Sequence, residues 1–260
     1  MRIALGVEYD GSGFRGWQSQ QEGVSTVQGC LEKALGKVAN HPVRTVCAGR
    51  TDTGVHAVNQ VVHFDAQARR SPYSWVMGAN SNLPAEISIL WAQPVSDRFH
   101  ARFSAVARRY RYVMLNRPCR SALYRRRAVW QYKPLNAAKM QEAGRLLLGE
   151  HDFSAFRGPH CQARSPVRRL TMVEVTRQRD FVILEVAANA FLHHMVRNIV
   201  GVLLAIGSGD RPVNWAREVL EGRDRTLGGV TAPPEGLYLL SVCYPEEFGL
   251  PQTSSALLFG

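Results

Sequence analysis

A chain of 260 residues, 45% hydrophobic and 20% charged, is long enough for one large domain or two small ones and can bury a real core. Its net charge of +11 points to a polyanionic partner, because protein cations displace the counterions condensed on phosphate; 28 of the 32 basic residues are Arg, so composition bias could supply part of the excess. Five scattered cysteines with no CxxC spacing exclude a disulfide framework and a zinc site.

Arg2 to Tyr9 alternates, with Ile3, Leu5, Val7 and Tyr9 on one face, and reads as a strand. Ser25 and Gln28 form a capping-box pattern ahead of a helix carrying Val27, Leu31, Ala34, Leu35 and Val38. Strands follow at about 43–48 and 58–65. Ser71-Pro72 then opens a helix to about Ala79, and Ile87 to Val95 is a fourth strand. The order β-α-β-β-α-β is the split βαβ arrangement of ferredoxin-like domains.

The second half repeats that order. Tyr110 to Leu115 is a strand, and Asn136 to Leu148 is a helix ended by Gly149. Leu170–Thr176 and Phe181–Ala187 form a hairpin around Arg179-Asp180. A long helix runs from about Phe191 to Ile206, a shorter one from Asn214 to Leu220, and Leu237 to Cys243 is the last strand. The expected fold is α+β: two ferredoxin-like halves, 1–105 and 106–246, with mainly antiparallel sheets flanking a central basic cleft. The tail 247–260 is expected to be disordered. The N-terminus has too short an apolar run for a signal peptide, and the apolar stretch 191–206 carries His193, His194, Arg197 and Asn198, so a cytoplasmic protein without a membrane span is expected.

Two motifs tempt and fail. Gly11-Ser12-Gly13-Phe14-Arg15-Gly16 is a literal GxGxxG, but no helix begins inside it, as a dinucleotide site requires. A mobile, Gly-hinged loop is the better reading, with Arg15 suited to a phosphate and Trp17 to stacking on a base. Asp52-Thr53-Gly54 matches the aspartic-protease triplet, but that chemistry needs a second carboxylate motif, and Arg50 favours an ionised Asp52.

The run Ala48-Gly49-Arg50-Thr51-Asp52-Thr53-Gly54-Val55-His56-Ala57 joins two strands. Its glycines permit turns that other residues resist, its threonines can donate hydrogen bonds, and Arg50 supplies charge. Such a setting can hold a carboxylate ionised and aimed; an Asx-type turn explains the same residues without chemistry.

This run resembles the signature of the TruA-type tRNA pseudouridine synthases. So do Tyr9-Asp10-Gly11 with Gly16-Trp17-Gln18, Phe99 to Ala105 (FHARFSA), Arg109-Tyr110-Arg111-Tyr112, Gly149 to Arg157 (GEHDFSAFR), Phe191 to Gly201 (FLHHMVRNIVG), and Thr231-Ala232-Pro233-Pro234 with Gly236-Leu237. The resemblance spans roughly residues 2 to 245, in order. Phe14 stands where Tyr is as readily expected.

The resemblance implies isomerisation of uridine to pseudouridine in the tRNA anticodon stem-loop, at positions 38, 39 and 40, with the base flipped out of its stack. Asp52 is then the catalytic carboxylate and Arg197 the guanidinium beside it. Tyr110 lies under the flipped base, and Arg50 helps displace the base or contacts phosphate. The resemblance also implies a homodimer. The clusters Arg108-Arg109-Arg111, Arg125-Arg126-Arg127 and Arg164-Arg168-Arg169 fit a phosphate-binding surface, with Arg109 and Arg168 as substrate contacts. No cofactor and no metal are expected: His193 and His194 are adjacent on the expected helix and face different sides. The competing reading is a non-catalytic RNA-binding module, which explains the charge but not a carboxylate placed where phosphates repel it.

Overall fold

In the computed structural model, which describes residues 1–251 apart from 22 and 160, the elements run β1 (Arg2–Tyr9), α1 (Val27–Ala39), β2 (Val46–Cys47), β3 (His56–Asp65), α2 (Pro72–Asn80), β4 (Ile87–Val95), β5 (Ala107–Asn116), β6 (Val129–Gln131), α3 (Ala137–Arg145), β7 (Gly149–Asp152), β8 (Val167–Gln178), β9 (Phe181–Ala188), α4 (Met195–Gly207), α5 (Trp215–Gly222) and β10 (Leu237–Cys243). The fold is mixed α/β with mostly antiparallel pairing. The described chain divides into two compact units, Met1–Val106 with residues 238–251, and Ala107–Leu237.

In the first unit the strands lie in the order β4-β1-β3-β10, with β2 beside β3. β1 pairs antiparallel with both β3 and β4. The alternation of β1 sends Leu5 and Val7 into a core shared with Leu31, Leu35, Val62, Phe64 and Trp75, all at most 1% exposed. Phe64 and Trp75 meet edge to face at 5.1 Å, a geometry aromatic quadrupoles favour. α2 starts as its sequence says: Ser71 Oγ accepts from Ser74 N at 3.1 Å, with Pro72 in the first turn. α1 is capped one residue later than expected. Thr26, not Ser25, caps the helix, taking the Gly29 amide at 3.2 Å, while the Gln28 amide that a Ser25 cap would take donates to Trp17 O at 3.0 Å.

The last strand differs from its expected place in the second half. Its apolar alternation identifies a strand but not a neighbour. β10 runs parallel to β3, Tyr238 opposite His56 and Leu239 opposite Ala57. The expected tail also begins later than 247. Glu246–Phe248 forms a 3₁₀ turn, Phe248 packs on Phe99 at 5.1 Å, and Gln93 Nε2 donates to the carbonyl of Phe248 at 3.2 Å. An aromatic with a buried ring to cover is a reason for order that polar composition hides. The rest of that tail, from 252, lies outside the described residues.

A turn at 99–104 follows β4, and two histidines hold it. His63 Nδ1 accepts from Ala101 N at 3.1 Å, and His100 Nδ1 accepts from the amides of Arg102 and Phe103, each at 3.2 Å. Burial first, then the charges of Arg2 and His100, push His63 down to about 4; burial and Arg2 lower His100 as well. A folded value below the unfolded value of about 6.5 means that the unfolded chain takes the proton first. Stability should therefore fall as pH drops from about 6.5 to 4, by roughly 2 kcal/mol for His63. Thermal unfolding from pH 7 to 4.5 measures this, and His63→Asn, which keeps an acceptor, should flatten the slope.

The second unit orders its strands β5-β9-β8-β7, with β6 parallel to β5 at the edge. β8 and β9 form the expected hairpin, with Arg179 at the tip in the left-handed region (φ 52°). β9 is buried without a break from Val182 to Val186. α3 stops at Arg145, short of the expected Leu148, and Gly149 (φ 107°) begins β7 instead of closing the helix. α4 starts at Met195, four residues late, because His194 sits in the left-handed region (φ 60°) ahead of it. No helix among the described residues is long and apolar enough to cross a membrane.

Candidate active site

Asp52 lies in the link between β2 and β3, and that link is tied down residue by residue. Ala48 N donates to Val61 O at 2.8 Å. The Gln60 side chain clasps Gly49, its Nε2 donating to the carbonyl at 2.6 Å. Thr51, which is buried, shares a hydrogen bond of 2.8 Å with the Tyr9 hydroxyl, and its carbonyl accepts from Trp17 N at 3.0 Å. Val55 N donates to Asp52 O at 3.1 Å and closes a turn in which Gly54 takes φ 79°. The Asp52 side chain is left half-buried beside exposed Arg50 and Thr53.

The GxGxxG segment packs against this link. Expected to be a mobile hinge, it is pinned. His56 Nδ1 lies 3.1 Å from Gly11 N and 3.2 Å from Asp10 Oδ1. His56, followed by Ser12, holds the Asp10 carboxyl well below the usual carboxylate range. His56 is itself buried, with its ring stacked on Tyr238 at 4.6 Å. The glycines serve close approach: a Cβ on Gly11 would stand 2.0 Å from the carbonyl oxygen of Val55, and one on Gly16 (φ 86°) 2.8 Å from that of Thr51.

Trp17 corrects its expected role. It is 1% exposed and packs on Tyr9 at 6.0 Å, so it offers no free face to a base; the close approach that the glycines allow is what buries it. Arg15 is exposed, as a phosphate contact requires.

In the second unit, strand pleating sorts β5 into two faces. Tyr110 is 9% exposed and meets Phe191 edge to face at 5.0 Å. Arg109 and Arg111 point the other way and grip Glu185, a buried carboxylate on β9 that needs such partners. Arg109 is therefore paired with Glu185 on the face opposite Tyr110, with 40% of its side chain still exposed. Arg168 is half-buried and donates to the carbonyls of Ser165 at 2.9 Å and Val167 at 2.6 Å.

Arg197, in the first turn of α4, donates from Nε to Ala232 O at 2.7 Å, while Ala232 N donates to Arg197 O at 3.1 Å. The loop carrying Ala232 is fixed from three further sides. Buried Asn198 accepts from Thr231 Oγ1 at 2.7 Å, Arg225 donates to Thr231 at 2.9 Å, and the Tyr112 hydroxyl donates to Pro233 O at 2.8 Å. Tyr112 is wholly buried, and burial pushes its hydroxyl far above the phenol range, so it stays a donor. Tyr112→Phe should cost about 1–2 kcal/mol, the penalty for stranding the Pro233 carbonyl, and urea unfolding measures it.

Sequence reasoning missed Gln60, the Tyr9 hydroxyl and the Asn198–Arg225–Thr231 cluster. The polar pair Asn59-Gln60 inside an apolar strand was the one available signal. His193 and His194 do not share a helix as expected. With His194 outside the helix, their rings lie 3.8 Å apart rather than on different sides.

A family model described as tRNA pseudouridine synthase matches residues 6–104 and 143–245. The chain belongs to the tRNA pseudouridine synthase family. It is 61% identical to tRNA pseudouridine synthase A of Nitrosococcus oceani over 254 residues, covering 98% of both chains. It is 60% identical to that of Alcanivorax borkumensis, covering 96% of this chain and 94% of the relative. For Pseudomonas aeruginosa the identity is 55%, with 96% and 88% covered. As a member of this family the chain is an isomerase, and both matched segments carry residues described above: 6–104 holds the Asp52 link, and 143–245 holds α4 and the Ala232 loop.

Proposed function

We propose that this pseudouridine synthase acts on uridine in the 3′ side of the tRNA anticodon stem-loop, at positions 38, 39 and 40, after flipping the base from its stack. In this reaction the N1–C1′ bond breaks, the base turns, and C5 bonds to C1′. C5 then gives up its proton and N1 gains one, so no oxidant or cofactor is called for. Asp52 supplies the ionised carboxylate, acting on a base whose extrusion costs about a few kcal/mol. Arg197 is the guanidinium that the resemblance assigns as the partner of that carboxylate. Tyr110 stacks under the base, and Arg50 and Arg15 take phosphate. The homodimer implied by the resemblance belongs to the same reading.

One observation carries it: a half-buried carboxylate on a link whose backbone is fixed by Tyr9, Trp17 and Gln60. Such fixing costs conformational entropy, and preorganisation for chemistry gives that cost a use. The test is tritium release from tRNA transcripts labelled at C5 of uridine, with carbodiimide-dependent primer-extension stops locating the product. Release with stops at those positions is expected. Tight tRNA binding with no release would favour the non-catalytic module instead.

A further inference from the structure

The turn at 99–104 is built more firmly than a surface connection needs. Arg2 donates to the Phe99 carbonyl at 2.9 Å, Tyr244 donates to that of Ala101 at 2.7 Å, and the His63 and His100 rings take three amides between them. His100 N also donates to Ser104 Oγ at 3.0 Å. Phe99 and Ala101 are wholly buried as anchors, yet the residue this frame presents, Phe103, is 76% exposed. One side of its ring is covered by His100, stacked at 4.4 Å, and the Arg102 guanidinium lies 5.5 Å from its centroid.

An exposed aromatic ring on a fixed backbone, backed by a second ring and with a guanidinium beside it, is suited to a nucleobase with its phosphate. We infer that Phe103, with Arg102, is a stacking platform for an unpaired base of the RNA substrate, outside the group of residues that meet the reacting uridine. This rests on the proposed function, since it needs an RNA substrate. A base is favoured over a second copy of this chain because the Arg102 guanidinium at the ring complements a nucleotide's phosphate.

The test is filter-binding affinity of an unmodified tRNA transcript at fixed salt for Phe103→Ala, Phe103→Leu and Phe103→Trp. Ala and Leu should each weaken binding about tenfold, within the range for one base–aromatic stack, and Trp should restore it. Thermal unfolding of all three should match the parent, because an exposed ring contributes little to folding. Unchanged affinity for Leu would overturn the platform. So would an affinity loss accompanied by a smaller particle in light scattering, which would make Phe103 a subunit contact. Parent protein that turns over tRNA while Phe103→Ala binds normally sinks the platform alone. Parent protein that neither binds nor turns over tRNA sinks the functional reading as well.

Discussion

Asp52→Asn is expected to abolish pseudouridine formation while tRNA stays bound. The amide keeps the shape of the carboxylate but can neither attack carbon nor take a proton at neutral pH, so turnover should drop by about 10³-fold or more. Affinity should hold or rise, because one negative charge is removed from a surface that meets phosphate. The substitution leaves the ties of Thr51, Gly49 and Val55 in place, since they run through backbone and other side chains. Tritium release and filter binding on the same preparation separate the two effects. Release at the parent rate would end the assignment of Asp52.

Gly11→Ala is expected to be nearly as damaging by purely steric means. The new methyl would stand 2.0 Å from the Val55 carbonyl oxygen and 2.6 Å from its carbon, and both are backbone atoms that cannot rotate aside. The two segments must part by more than 1 Å, and Val55 is the residue whose amide closes the Asp52 turn. A displacement of that size at a reacting group lowers kcat by about 100-fold. Some loss of stability, about 1–3 kcal/mol, should accompany it. Gly13→Ala is the control. It lies in the same loop with nothing within 4 Å of its added methyl, and it should keep kcat within about twofold if local packing is what matters. Equal damage from both would show that loop flexibility, not the approach to Val55, is the determinant.

The elements were legible where a periodic pattern and a cap coincided. Arg2–Tyr9 and Ser71-Pro72 are read from a handful of letters because alternation and a hydroxyl before proline each have one good structural solution. β6 and β7 were not legible. Val129–Gln131 and Gly149–Asp152 are too short to show a period, and the second is mostly polar. The start of α4 was missed because apolarity continues through Phe191 and Leu192 while the backbone at His194 turns left-handed, a choice its letter does not announce. At the candidate site, residue type suggested chemistry but not direction. Trp17 and Arg109 have the right groups for RNA, and only coordinates reveal that one faces the core and the other faces Glu185.

The return of β10 to β3 has a consequence for biosynthesis. His56 and Ala57, at the foot of the strand that follows Asp52, are matched by Tyr238 and Leu239, about 180 residues further along the chain. At ribosomal speeds of about 5–20 residues per second, the stretch from Ala107 to Leu237 takes on the order of ten seconds to appear. During that interval the emerging first unit has an unsatisfied strand margin, open to partners from other nascent chains. The half that carries Asp52 is thus the first to be translated and the last to be completed.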